Sequence, residues 1–272
     1  MLYRGEDVTF IMSVYSKTDL NSLIEAISSI ENQTVNVYKT IIVVDGPIDR
    51  NLSDYLTGLN KDLFEVDFLD INVGPGSARH KGILKCVTKL IAIMDSDDIS
   101  LPFRIEQQLA LFNSKNVSVC GGGILEFSST SNEVFKKRIL PQTHNELIKF
   151  SKIRSPINNV TAMFKRLDYL ETGGYPEFRI AEDYCLWLRF IAKGFKLHNL
   201  ESVLVDVRFD DSTLSRRKGY KLLKYDFLCQ KESYTLGNIG IFTFIVNLFI
   251  LFSFRFLPRG LLKILYSKFL RK

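Results

Sequence analysis

The chain has 272 residues, 46% of them hydrophobic, which suits one large domain or one domain with an appendage. Four cysteines (Cys86, Cys120, Cys185, Cys229) and three histidines are scattered without metal-ligand spacing, which argues against zinc and for reduced thiols in a cytoplasmic protein. The net charge of +6 equals the six basic residues between Arg255 and Lys272, so residues 1–254 are neutral by count and a basic nucleic-acid-binding body is excluded.

Arg4, Glu6 and Asp7 interrupt any early apolar run, so no secretory signal is expected at the start. Val8 to Tyr15 reads as a buried strand, followed by a polar break and a helix from Asp19 to Asn32. A second strand, Thr40 to Val44, ends in Asp45-Gly46-Pro47. Two strand–helix units within about fifty residues predict a parallel, doubly wound sheet. Asn72 to Ser77 then predicts a tight glycine loop opening a helix, with Arg79 and Lys81 in its first turns. Helix N-termini and nearby cations suit phosphate.

Lys89 to Met94 is another buried strand, closed by Asp95-Ser96-Asp97-Asp98. Carboxylates at the C-terminal end of such a strand lie where open α/β sheets bind ligands. In an extended chain Asp95 and Asp97 point the same way. Together they could hold one hard cation, Mg²⁺ or Mn²⁺, with diphosphate oxygens and water. The alternative is an acidic turn capping the helix that begins at Pro102.

That helix is expected to run to Asn113, before a strand from Val117 to Phe127. Gly121-Gly122-Gly123 inside the strand marks either a close approach, as by a donor sugar, or a bulge. Pro141 to Lys152 reads as helix, Ser155 to Asn159 as loop, and Gly173-Gly174-Tyr175-Pro176 as a turn. A helix from Glu182 to Lys193 and a strand from Lys196 to Arg208 follow. Ile239 to Phe254 is a run of sixteen uncharged residues with basic flanks. A spanning helix needs about 20. The run reads as an in-plane or shallow re-entrant anchor on an anionic bilayer, followed by a basic amphipathic helix from Arg259 to Lys272. The alternative is a helix buried against the body.

Six segments stand in one order: Ser13-Val14-Tyr15, Val43-Val44-Asp45-Gly46, Gly74-Pro75-Gly76-Ser77-Ala78-Arg79, Met94-Asp95-Ser96-Asp97-Asp98, Gly173-Gly174-Tyr175, and Glu182-Asp183-Tyr184-Cys185-Leu186-Trp187-Leu188-Arg189. Together they resemble the family 2 glycosyltransferases, over roughly residues 8 to 215. Asp45-Gly46-Pro47 and Asp98-Ile99-Ser100-Leu101-Pro102 are most similar to bacterial enzymes of O-antigen, capsule and amylovoran-type exopolysaccharide assembly. The resemblance implies the α/β GT-A fold, a mainly parallel central sheet flanked by helices, with membrane-associating helices at the C-terminus. Residues 1–218 would be the catalytic domain, with a donor half from about 8 to 100 and an acceptor half to 218. Residues 219–272 would be a basic helical region.

The resemblance also implies roles. Asp97 is a metal ligand, and Asp95 lies near the metal or the ribose. Asp45 reads the uracil of a UDP-sugar, Tyr15 flanks it, and Arg79 reaches the base or the diphosphate. Many relatives carry a second aspartate where this chain has Gly46. Asp183 is the general base. Asp98 itself reads as a local cap. Trp187, one turn after Asp183, either floors an acceptor-sugar platform or belongs to the core. His80 replaces a frequent Asn, and Asn159 lies near a frequent His; neither receives a role. Arg216 or Arg217 could close over the diphosphate. The implied reaction is inverting, metal-dependent transfer of galactose or glucose from a UDP-sugar to an undecaprenyl-diphosphate-linked sugar. The linkage would be β-1,3 onto N-acetylglucosamine or N-acetylgalactosamine, at the cytoplasmic face of a bacterial inner membrane. A sugar-phosphate nucleotidyltransferase would want a basic glycine-rich loop where Ser13-Val14-Tyr15-Ser16 stands. A non-catalytic membrane partner retaining the fold would not need Asp95, Asp97 and Asp183.

Overall fold

The computed structural model describes residues 2–128, 134–209 and 220–256. Its apolar runs form strands covered on both faces, as near-continuous hydrophobic strands require. β1 (Val8–Val14) turns Val8, Phe10, Met12 and Val14 to one face and Ile11 to the other. α1 (Leu20–Glu31) begins at Asp19, whose carboxylate accepts from Ser22 N at 2.8 Å. β2 (Lys39–Val44) and β4 (Leu90–Asp95) flank β1 in parallel, and β3 (Phe64–Phe68) adds beyond β2. α2 (Arg50–Thr57) and α3 (Pro75–Lys85) make the crossovers.

Beyond β4 the sheet is mixed. β8 (Met163–Lys165) is antiparallel to β4, and β6 (Val119–Phe127) is antiparallel to β8. β9 (Leu197–Arg208) runs parallel to β6, and β5 (Ile99–Ser100) closes on β9. The order is β3-β2-β1-β4-β8-β6-β9-β5, with β7 (Val134–Arg138) beside β6. The doubly wound parallel arrangement expected from the first two units therefore holds as far as β4.

The β6 glycines admit neighbouring protein, not a ligand. A Cβ on Gly122 would lie 2.4 Å from Leu204 Cδ1, and one on Gly123 would lie 2.3 Å from Ile139 Cδ1. The β6–β9 register slips at Gly121/Gly123 and again at Gly123/Ile124. The bulge is the correct alternative, and the approach of a donor sugar to these glycines is not.

Helices cover both faces. α1 and α4 (Arg104–Ser114) bury Leu23, Ile27, Ile105 and Phe112 on one side. α3 and α7 (Glu182–Ala192) bury Ile83, Leu186, Trp187 and Phe190 on the other. α5 (His144–Ser151) and α6 (Arg166–Glu171) add Leu147 and Tyr169 to the core under α3 and α7. Near the C-terminus, α8 (Tyr220–Thr235) and α9 (Ile241–Phe256) form a hairpin. Glu232 pairs with Arg189 of α7, and Asn238 Nδ2 donates to Leu188 O at 3.0 Å. Asn247, inside the apolar run, donates to Lys152 O at 2.6 Å and to Gln230 Oε1 at 2.9 Å. The opposite side of α9 stays exposed: Phe242 at 78% and Ile245 at 58%. Sixteen residues at about 1.5 Å each give about 24 Å, short of a hydrocarbon core of about 30 Å. Among the described residues no helix is long and apolar enough to cross a membrane. The helix expected over 259–272 lies outside the described residues, as do Arg216 and Arg217.

Candidate active site

The C-terminal ends of β1, β2 and β4 open into a cleft of about 880 Å³, lined by Tyr15, Asp45, Arg79, Asp95, Asp97 and others. Open parallel sheets bind ligands at this edge, because the loops there diverge. Asp45, just past β2, is buried, and its carboxylate accepts from Val73 N at 2.6 Å and Gly74 N at 3.0 Å. Asp45 O also accepts from Asn72 Nδ2 at 3.0 Å. Asp45 thus grips the glycine loop as well as facing the cleft. Beside Asp45 there is no room for a side chain at position 46. Gly46 has φ +88°, and a Cβ there would lie 2.7 Å from Asn72 N. Tyr15 is exposed at the cleft mouth.

Asp95 ends β4. Arg79, from the second turn of α3, reaches it with Nη2 at 2.6 Å and reaches Glu182 Oε1 with Nη1 at 3.4 Å. Arg79 is therefore not a surface residue, and it lines the cleft while paired to two carboxylates. It is a buried bridge from the end of β4 to α7. Burial works against its charge, but Asp95, Tyr175 and Glu182 together hold it above the ordinary arginine range. Glu182 is 8% exposed, and burial, with Asp183 beside it, lifts its carboxyl to about 7 against the pull of Arg79. Asp183 is half-buried in the first turn of α7. Burial raises its pKa above the usual carboxylate value, and the charge of Asp95 adds to the rise. Asp183 is not among the residues lining the cleft; Glu182 and Arg79 connect it to that edge.

Asp97 is exposed on the cleft, while Asp98 is buried with its carboxyl pushed up by burial and by Asp97 and Asp95. Asp98 is not a local cap. It accepts from Arg208 N at 2.9 Å, 110 residues away. Sequence reasoning misses Arg208. Its guanidinium donates to Asp97 O, pairs with Glu25, and lies 5.4 Å over the Phe127 ring. The available signal was its place at the end of the last strand, the edge that carries the other site residues.

Trp187 is 0% exposed and packs on Phe164 and Phe190, with ring centroids 6.1 and 6.0 Å away. It cannot floor a sugar platform; it is core. His80 Nδ1 bonds the Tyr169 hydroxyl at 2.7 Å, and Lys81 is exposed. Asn159 opens a short 3₁₀ turn before β8.

Among the described residues no group of three or more His, Cys, Asp or Glu side chains could cage a metal ion. Asp95 and Asp97 offer hard oxygens at an open cleft. That donor set fits Mg²⁺ or Mn²⁺ completed by substrate phosphate and water, since such ions are commonly held by one or two carboxylates.

The fold is the GT-A α/β fold, and the comparisons show the class of protein it carries. The family described as Glycosyl transferase family 2 matches residues 9–170, and the chain belongs to that family. It is 33% identical over 264 residues to an uncharacterized glycosyltransferase of Haemophilus influenzae, covering 96% of this chain and 98% of that one. It is 32% identical to the UDP-Gal:alpha-D-GlcNAc-diphosphoundecaprenol beta-1,3-galactosyltransferase of Escherichia coli, over 96% of both chains. It is 28% identical to the amylovoran biosynthesis glycosyltransferase AmsE of Erwinia amylovora, over 95% of this chain and 97% of that one. Residues 1–349 of S. aureus TarS, solved with UDP-GlcNAc, superimpose with a TM-score of 0.65 at 17% identity, over 83% of this chain and 66% of that one. At that identity the likeness is one of fold.

Proposed function

We propose that this protein transfers galactose or glucose from a UDP-sugar to a sugar carried on a lipid diphosphate, with inversion, in bacterial surface-polysaccharide synthesis. The narrower form is β-1,3 transfer onto N-acetylglucosamine or N-acetylgalactosamine of an undecaprenyl-diphosphate carrier. One observation carries the reading: a single buried guanidinium, Arg79, joins Asp95 on the cleft to Glu182 on the base-bearing helix. It supports a site where a leaving diphosphate and an acceptor hydroxyl meet. The printed name of the Escherichia coli relative supports the donor and acceptor classes, and that of the Erwinia amylovora relative supports the polysaccharide context.

In this reading Asp45 and Tyr15 receive the uracil, and Asp97 with Asp95 hold Mn²⁺ or Mg²⁺. When bound, such an ion supplies charge that stabilises the departing diphosphate. Asp183 takes the acceptor hydroxyl's proton as the new bond to the anomeric carbon forms and the bond to the phosphate oxygen breaks. Its raised pKa suits that task. The exposed apolar side of α9, with the six basic residues from Arg255 to Lys272, supports attachment to the cytoplasmic leaflet.

The test is incubation with a panel of UDP-sugars and a synthetic N-acetylglucosamine-diphosphate-lipid, with the product analysed by mass spectrometry and NMR. One β-linked hexosyl product is expected. Turnover of GDP- or dTDP-sugars in place of UDP-sugars would remove the donor assignment, and an α-linked product from an α-linked donor would remove inversion.

A further inference from the structure

A third arginine of the cleft has no part in the arrangement above. Arg179 stands three residues before Glu182, in the segment leading from Tyr175 into α7. It is exposed and lines the same cleft as Asp97. Its guanidinium donates to Asn72 Oδ1 at 2.9 Å and to Asn72 O at 2.6 Å. Its stem crosses Gly74, where a Cβ would lie 2.8 Å from Arg179 Cγ and where φ is +95°. The glycine loop is therefore gripped on one side by Asp45 and covered on the other by Arg179. Ala181 brings the segment into α7 with φ 59°, in the left-handed region that non-glycine residues seldom adopt.

Charge separates Arg179 from its two neighbours. Arg79 is paired with Asp95 and Glu182, and Arg208 with Glu25. The hydrogen-bond partners of Arg179 are the neutral oxygens of one asparagine. A guanidinium so placed presents a fork of donors to an open cleft, and that fork matches phosphate oxygens. The N-terminus of α3, an eleven-residue helix starting at Pro75, faces the same cleft through Gly74 and Pro75.

The geometry points to Arg179 as a residue that binds the donor's diphosphate, closing over it from the acceptor side. This rests on the nucleotide-sugar reading above. Binding exchanges the two neutral Asn72 acceptors for charged ones. Asp183 follows four residues later, so a diphosphate held by Arg179 also fixes the start of the helix that carries the base.

The test is binding to the full chain with saturating Mg²⁺, by calorimetry or NMR titration, with UDP and uridine as probes. Arg179→Gln removes the charge and keeps a donor for Asn72. UDP affinity should fall about tenfold or more, as expected for loss of charge-assisted phosphate contacts, while uridine affinity holds. The inference is overturned if UDP binds the variant as tightly as the wild type. It is also overturned if UDP and uridine weaken equally, because Arg179 would then only prop the base-binding loop. Should Arg179→Gln not fold, Arg179→Lys keeps the question open to decision. It loses the fork and should weaken UDP about threefold with uridine unchanged, and equal losses again overturn the inference. If the wild type prefers GDP or dTDP, the uridine reading fails, and the ratio of that diphosphate to its nucleoside still tests Arg179.

Discussion

Replacing Glu182 by glutamine should change how stability responds to pH. Burial raises this carboxyl from 4.5 to about 7, with Asp183 adding to the rise and Arg79 opposing it. Between those two values the native protein binds more protons at this site than the unfolded chain does. Stability contributed here is therefore present below the unfolded pKa and lost as pH rises through the folded one. At 1.36 kcal/mol per unit the rise is worth about 3 kcal/mol at most, most of it lost between pH 5 and pH 8. Glutamine has no proton to lose, and its side-chain oxygen still accepts from Arg79. Urea unfolding of both proteins, followed by circular dichroism at pH 5 and pH 8, measures the effect. Relative to the wild type, Glu182→Gln should gain about 2–3 kcal/mol over that interval. A difference between the two proteins that is the same at both pH values refutes the reasoning. So does a gain in the opposite direction.

Four further outcomes are expected. Asp183→Asn should lower turnover by about 10²-fold or more with donor affinity little changed, and near-normal turnover would move the base elsewhere. Asp97→Ala should lose most activity, as should the wild type in chelator, with Mn²⁺ or Mg²⁺ restoring only the wild type; full activity in excess EDTA removes the metal role. Trp187→Ala should cost about 3–5 kcal/mol of stability, because the ring is wholly buried, and a raised acceptor KM at unchanged stability would restore the platform role. The pair Phe242→Glu and Ile245→Glu should abolish flotation with anionic liposomes at unchanged thermal midpoint, because both side chains face solvent, and retained flotation would give the α9 face another purpose.

What the sequence discloses and what it withholds follow from the kinds of interaction involved. β1, β2 and β4 are legible because buried parallel strands must be apolar on both faces. Their ends mark the cleft, which is why Asp45, Asp95 and Asp97 can be found without coordinates. α2 and β3 escape notice because Arg50–Thr57 and Phe64–Phe68 are too short for their few apolar residues to show a period. Helical spacing puts Asp183 and Trp187 on one face but does not show that this face lies off the cleft, with Trp187 in the core. One turn separates the rim from the packing on Phe164. Gly46 looks like a lost carboxylate until the backbone of Asn72 is seen against it. Arg208 and Arg179 depend on pairings across 110 and 107 residues, which no local pattern encodes.

The position of β8 between β4 and β6 bears on how the chain is made. Strands β1 to β4 can assemble once about the first hundred residues have left the ribosome, since their crossovers are all local. The outer edge of β4 is then bare, and the strand that covers it starts at Met163, 68 residues beyond Asp95. At about 5–20 residues per second that interval lasts about 3–14 s. Throughout it, Ile91 and Phe164 cannot meet, and an apolar edge with unpaired backbone groups invites pairing with another nascent chain. A ribosome-bound chain arrested at residue 128 should therefore depend on holdase chaperones. That dependence should lift once Met163 to Lys165 emerges and closes the sheet.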